Sequence, residues 1–175
     1  MELLSEKDVI KKIGKASFWT PQRLVDIGQY AAGIPDLDEK IGSNNFLKTM
    51  PIINFEKHPD GLGFKIMHNF KYLLSGVKSS EITSIAIEKG GVTEVKEKSV
   101  IGRAILGGLL LGPLGALIGG ASGMKDSILK DNDNLIIQIK NGDKEEAILF
   151  QLKKGKTNEV FKFFKQHFPI QTSLH

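Results

Sequence analysis

Two periodicities divide the chain. From Pro51 onward apolar and polar residues alternate, the period of a half-buried strand. Pro51–His58, Leu62–His68 and Phe70–Ser75 are three short strands on this reading, with Asp60-Gly61 as a tight turn and Asn69 as a second one. Glu81–Lys89 (EITSIAIEK) continues the pattern through Ile82, Ile85 and Ile87; Gly90-Gly91 turns the chain and Val92–Ser99 is the next strand. After an interruption the pattern resumes in Ser127–Leu129 and Leu135–Lys140. Asn141-Gly142 is a hairpin turn, because both residues accept positive φ, and Glu146–Leu152 is the returning strand.

The chain's two ends carry helical spacing instead. Ser5, followed by Glu6, Lys7 and Asp8, caps a short helix that runs to about Ile13 and gathers Leu4, Val9, Ile10 and Ile13 on one side. Thr20-Pro21 places an N-cap residue before a first-turn proline. It predicts a second helix over Gln22–Ala32, halted by Gly33, with Leu24, Val25, Ile27 and Tyr30 toward a core. Residues 33–49 read as turns. Lys156–Phe168 is a closing helix with Thr157 as N-cap, Val160, Phe161, Phe164 and Phe168 at helical spacing, and Pro169 as its stop. The expected organisation is a helical N-terminal region (1–50), a strand-rich domain (51–169) interrupted at 101–124, and a short C-terminal tail (170–175).

The interruption is the most distinctive stretch. Gly102–Gly123, GRAILGGLLLGPLGALIGGASG, holds eight glycines, one proline and a single charge, Arg103. Glycine costs roughly 1 kcal/mol per residue relative to alanine inside a helix, so close packing or lipid contact must offset it. Gly108 and Gly112 are four apart, as are Gly115, Gly119 and Gly123, so each set lines one helix face where another backbone can approach. Leu109, Leu110, Leu114, Leu117 and Ile118 cover the remaining surface. Gly112-Pro113 breaks the run into halves of roughly 15 Å, too short to span a bilayer alone, which takes about 20 apolar residues. A helical hairpin, glycine face to glycine face, is the expected form. It either packs on its own sheet or a neighbouring subunit, or inserts into one leaflet, or is an unstructured glycine loop. Arg103 and Lys125 flank it, positioned to reach lipid phosphates.

Composition narrows the function. At 175 residues, 41% hydrophobic and 25% charged, the chain is an ordinary globular one. It has no cysteine, which excludes disulfides, thiolate metal sites and a cysteine nucleophile. The charged start MELLSEKDVIKKIGK is no secretory signal, so the expected place is the cytoplasm, with a peripheral position at the inner face of the membrane as its extension. Net charge is +4. Lys153, Lys154 and Lys156 begin a lysine-rich C-terminal stretch, a candidate anionic-surface contact with Arg103 and Lys125. Nucleic acid is not the expected partner, since the chain has only two arginines, Arg23 and Arg103, and its C-terminal phenylalanines are needed as core. Phe18-Trp19 reads as core, as a staple on the following helix, or as an interfacial anchor.

No catalytic, cofactor or metal constellation emerges. His58, His68, His167 and His175 lack ligand spacing. Asp131–Asn134 begins like a calcium loop, but Ile136 stands at the glycine position. No nucleophile elbow and no phosphate-binding glycine loop is present. An enzymatic alternative would need Asp26, Asp36 or His58 to converge in a cleft.

FKYLLSGVKSSEITSIAIEKG, the glycine-rich insert and LIIQIKNGDKEEAILFQLKKGKTNEVFKFFKQHF together resemble a bacterial, GRAM-related pleckstrin-homology-like (PH-like) domain with a GRAxLGGxLLGPLGAxxGG insertion. The resemblance implies an α+β fold: a curved antiparallel sheet, or partly open barrel, capped by a C-terminal helix and carrying an inserted hairpin. It implies binding or scaffolding rather than catalysis. Lipid-binding relatives collect basic residues in the first strand connection; counted as His58–Gly61, that connection holds no lysine here. The resulting expectation is a non-enzymatic module that uses the hairpin for self-association or membrane-surface contact. The alternative is a nucleic-acid- or protein-binding module acting through the basic C-terminal helix, with the hairpin purely structural.

Overall fold

The computed structural model describes residues 2–19, 22–41, 51–68, 70–90, 132–142, 144–169 and 172–174. Val92–Ser99, Ser127–Leu129, the Thr20-Pro21 and Asn69 signals and the whole glycine-rich segment lie outside them.

Among the described residues, eight strands form one sheet in the order β4-β3-β2-β1-β7-β6-β5-β8. The strands are β1 Arg23–Ala32, β2 Ile52–His58, β3 Gly61–His68, β4 Lys71–Lys78, β5 Ile82–Glu88, β6 Asn134–Asn141, β7 Lys144–Leu152 and β8 Thr172–Leu174. Two meanders, β1 to β4 and β5 to β7, join through the antiparallel pairing of β1 with β7. Helices α1 (Glu6–Ile13), α2 (Pro35–Ile41) and α3 (Thr157–His167) complete the architecture, with a 3-10 turn at Ser79–Glu81.

Ring contacts reveal how far the sheet curls. β3 and β7 are separated by β2 and β1, which is roughly 14 Å across a flat sheet at about 4.8 Å per strand. Yet Phe64 on β3 and Phe150 on β7 stack with centroids 6.0 Å apart. The sheet must bend over itself to bring them together. Phe55 on β2 sits at the focus, edge-on to Phe64 at 5.5 Å, Phe150 at 5.1 Å and Phe164 of α3 at 5.4 Å. Val160, Phe164 and Phe168 are buried in the same core. α3 thus closes the curled sheet as the expected cap, touching β1, β5 and β8.

The expected α1 is present, with the Ser5 hydroxyl accepting from the Asp8 amide at 3.2 Å. It lies against β4 and β3, and Gly61 and Gly76 leave the room that Ile13 fills: a Cβ at either would come within 3.0 Å of it.

Several expectations are corrected. The helix expected over Gln22–Ala32 is the central strand β1, so the first fifty residues are no helical appendage to the sheet. The spacing of Leu24, Ile27 and Tyr30 mimics a helix because the strand is irregular. Between the pairs Leu24↔Phe55 and Gly28↔Ile53, β1 advances four residues while β2 advances two. Asp26 takes a φ of 49° there, and its amide donates to Asn54 Oδ1 at 2.7 Å. The turn before β3 is Pro59-Asp60, since His58 pairs with Gly61. Because β1 comes first, His58–Gly61 is the second strand connection, not the first; the first contains α2, whose opening turn is acidic through Asp36 and Asp38. Thr157 is the first residue of α3, preceded by Lys156, rather than its N-cap. The C-terminal tail contributes β8, which pairs in parallel with β5 and is held by the Thr172 hydroxyl donating to Phe168 O at 2.6 Å.

Candidate functional site

The glycine-rich insertion departs after β5 and returns before β6, and its base is described at both sides. The Gly90 amide donates to Asp133 Oδ1 at 2.9 Å, closing a span of 43 residues. The other carboxylate oxygen of Asp133 accepts a short hydrogen bond from the Thr157 hydroxyl at the start of α3. The Asp133 carbonyl accepts from the Leu152 amide at 2.8 Å. One residue therefore ties together the outgoing chain, the returning chain, the end of β7 and the N-terminus of α3. A carboxylate suits that place, because the first amides of a helix carry partial positive charge. Sequence reasoning read Asp131–Asn134 only as a turn. An Asp-Asn repeat marks a turn, and nothing local says that one of its carboxylates reaches a helix 24 residues further on.

The same junction gathers the lysines. Between β7 and α3 the chain turns through Lys153–Lys156, with Gly155 at a φ of 85° and the Lys153 amide donating to Ile27 O at 2.8 Å. Lys153 pairs with Asp26 at 2.5 Å and Lys156 with Glu159 at 2.6 Å, while Lys154 is exposed. Exposed pairs of this kind contribute about 0–1 kcal/mol, so either ammonium can exchange its carboxylate for another anion at small cost. Lys89, also exposed, precedes Gly90. The structure thus brings Lys153, Lys154 and Lys156 to the base of the insertion. Gly108, Gly112, Pro113, Gly115, Gly119, Gly123, their leucines and Ile118, and Arg103 and Lys125 lie outside the described residues.

Other titratable groups serve the scaffold. Glu56 is buried on β2, 2.5 Å from Arg23 and 2.9 Å from Lys65. Burial alone would raise its carboxyl pKa; hydrogen bonds from Lys65 and Arg23, with their charges, outweigh this and hold it below the ordinary value. Tyr30 lies in the core, donating to Asp38 Oδ1 at 2.7 Å and accepting from the Ile34 amide at 2.6 Å. Burial first, then the Asp38 charge, raises its pKa strongly, so it stays a neutral hydroxyl that positions the start of α2. Lys57 places its ammonium on the carbonyls of the β2–β3 turn and over the Phe168 ring, 5.2 Å from its centroid, and burial lowers its pKa.

The residues named for an enzymatic alternative take three separate partners: Asp26 binds Lys153, Asp36 accepts from the Leu3 amide at 3.0 Å, and His58 Nδ1 lies 2.7 Å from Gly14 O. Among the described residues no group of histidines and carboxylates has the geometry to hold a metal ion. A cleft of about 530 Å³ between the N-terminal segment and the end of β4 mixes Glu2, Asp8 and Glu81 with Lys11, Lys12 and Lys78, so it presents neither sign of charge to a ligand.

A curled antiparallel sheet closed by a terminal helix, with a glycine-patterned excursion between its fifth and sixth strands, agrees with a family comparison. The model of a glycine zipper containing PH domain matches residues 39–153. The chain belongs to this glycine zipper PH domain family. No curated protein matches the sequence. The family assignment makes the protein a PH-like domain with a glycine zipper, and PH-like domains are generally non-enzymatic binding modules. The family match begins within α2 and ends at Lys153, so it takes in the insertion, its base and the first of the clustered lysines, but not α1, β1 or α3. No helix among the described residues is long and apolar enough to cross a membrane.

Proposed function

We propose that this glycine zipper PH domain protein is a scaffold whose curled sheet holds the glycine-rich insertion for self-association or contact with a membrane surface, at the cytoplasmic side. The observation that carries the reading is the clamp at Asp133. The two sides of the insertion are joined at one point, so the segment between them leaves and returns as a closed excursion on a rigid base. Gly108, Gly112, Gly115, Gly119 and Gly123 supply the spacing for close backbone approach within or between such excursions. Lys153, Lys154 and Lys156, gathered beside the base, are available to anionic headgroups together with Arg103 and Lys125.

The test compares the wild type with Gly108→Ile and Gly115→Ile, because an isoleucine in a glycine groove blocks close approach. Sedimentation velocity without lipid reads self-association, and flotation with vesicles reads membrane contact. The expected result is that the wild type assembles or floats and that both substitutions reduce it while the circular dichroism spectrum is unchanged. A wild type that stays monomeric and does not float, or variants that match it in both assays, overturns the reading.

A further inference from the structure

We propose that Phe18 and Trp19 form a surface anchor that seats this protein on an anionic lipid bilayer, independently of what the glycine-rich insertion does. The sequence left three roles open for this pair, and burial eliminates two. Phe18 is 83% and Trp19 89% exposed, so neither is core and neither staples the element that follows. Their rings meet edge to face at 5.7 Å, each offering most of its area to the outside. Isolated apolar residues on a surface are ordinary, but two adjacent large aromatics projecting together mark an interaction site.

The connection that carries them is fastened where it leaves α1 and where it enters β1. At its α1 side, the Ile13 carbonyl accepts from the Asp60 amide at 3.1 Å and the Gly14 carbonyl lies 2.7 Å from His58 Nδ1. At its β1 side, the Gln22 carbonyl accepts from the Lys57 amide at 2.9 Å. Both ends are thus fastened to the end of β2 and the turn that follows it, and the exposed pair lies between them. An exposed aromatic pair of this kind fits a bilayer interface, which accepts an aromatic ring without a shaped pocket and leaves the indole N–H among the headgroups. The charge around it has the matching sign. Over Glu6–Trp19 the lysines Lys7, Lys11, Lys12 and Lys15 outnumber the acids Glu6 and Asp8, with Lys11 and Lys12 in the last turn of α1 and Lys15 exposed between it and the pair, while Glu56 is engaged by Arg23 and Lys65 and Glu81 by Lys12. Exposed acids stand at Asp60, on the turn beneath, and at Glu6 and Asp8, in the first turn of α1. Ile10, 36% exposed on α1, adds apolar area one turn before Gly14. From Gln22 to Asp26, the partner of Lys153 at the base of the insertion, is four residues, at most roughly 14 Å of chain.

Trp19 is the single tryptophan of the chain, so its fluorescence reports this site alone. The experiment titrates the full-length protein with phosphatidylcholine vesicles with and without phosphatidylglycerol, some carrying acyl-chain-brominated lipid. The expected result is a blue shift of Trp19 emission and quenching by brominated lipid, both favoured by the anionic vesicles. Phe18→Ala, read by Trp19 emission, and Trp19→Ala, read by flotation, should each weaken partitioning about tenfold. Lys15→Gln should weaken it about fivefold on anionic vesicles and little on neutral ones. These side chains are exposed, so the folded state should survive, as circular dichroism would verify. Vesicle flotation without any change in Trp19 emission overturns this proposal while leaving the insertion reading intact. A Gly108→Ile protein that keeps its flotation and its Trp19 shift supports the anchor's independence, and one that loses both overturns it. Concentration-dependent self-association abolished by Phe18→Ala or Trp19→Ala, without lipid, overturns the proposal in favour of a second copy of the chain.

Discussion

Gly28→Ala separates the helical and the strand reading of residues 23–32 by the sign of its effect. In a helix, replacing glycine by alanine stabilises by about 1 kcal/mol. In the β1 of this structure, a Cβ at Gly28 would lie 2.0 Å from the Gln151 carbonyl oxygen and 2.9 Å from Leu152 Cα, where ordinary contact begins at 3.4 Å. The obstruction is backbone, so no side chain can swing aside. β1 and β7 must part, straining the pairs Gly28↔Leu152, Gln29↔Gln151 and Tyr30↔Phe150 that join the two meanders. Overpacking costs about 1–3 kcal/mol and each lost hydrogen bond about 1 kcal/mol. Against these stands a gain of about 0.4–1 kcal/mol from the stiffer unfolded chain. The expected net loss is about 2–3 kcal/mol, a fall in Tm of roughly 5–10 °C for a chain of this length. Thermal and urea unfolding of the full chain, followed by circular dichroism, reads it. Gly155→Ala is the contrasting case: its φ is positive, at 85°, unlike that of Gly28, and nothing lies within 4 Å of the added Cβ, so the cost is that of the backbone alone, about 1–2 kcal/mol. A Gly28→Ala protein that melts at or above the wild-type temperature would refute the close approach of β1 and β7.

Two further outcomes follow from the same coordinates. The Glu56 carboxyl is held below its ordinary pKa in the folded chain, so its contribution to stability is present above the unfolded value, near 4.5, and is lost as pH falls through the folded one; Glu56→Gln should flatten that acid limb in urea melts between pH 5 and pH 2, at a cost of about 1–2 kcal/mol at neutral pH, and an unaltered acid limb would exclude Glu56 as a source of it. Asp133→Ala removes the acceptor shared by Gly90 and Thr157; hydrogen exchange at the Gly90 amide should accelerate selectively, with a global loss of about 1–3 kcal/mol, and unchanged exchange there would mean that the carboxylate does not clamp the insertion.

Much of the fold was legible because its signals are local. Alternating apolar residues marked β2 to β7 wherever the strand was regular: the β6–β7 hairpin was legible from Gly142, which has a φ of 64°, although its turn lies one residue later than Asn141-Gly142, since Asn141 pairs with Lys144 as the last residue of β6 and has no positive φ. α1 and α3 announced themselves by apolar residues a helical turn apart. β1 was misread because its bulge at Asp26 is stabilised by a partner on another strand, Asn54, 28 residues away. β8 was missed because three residues carry no periodicity; what makes them a strand is the open edge of β5 beside α3.

The division for function runs along the same line. Glycine spacing and the PH-like run of strands from β2 to β7 are properties of one-dimensional pattern, set by which side chains are small, apolar or charged at which interval. That Asp133 joins β5, β6, β7 and α3, that Lys153 and Lys156 stand at the base of the insertion with carboxylates beside them, and that Phe18 and Trp19 face outward were decided only when distant segments met. Burial and hydrogen bonding are relations between residues far apart in the chain, and no local propensity encodes them.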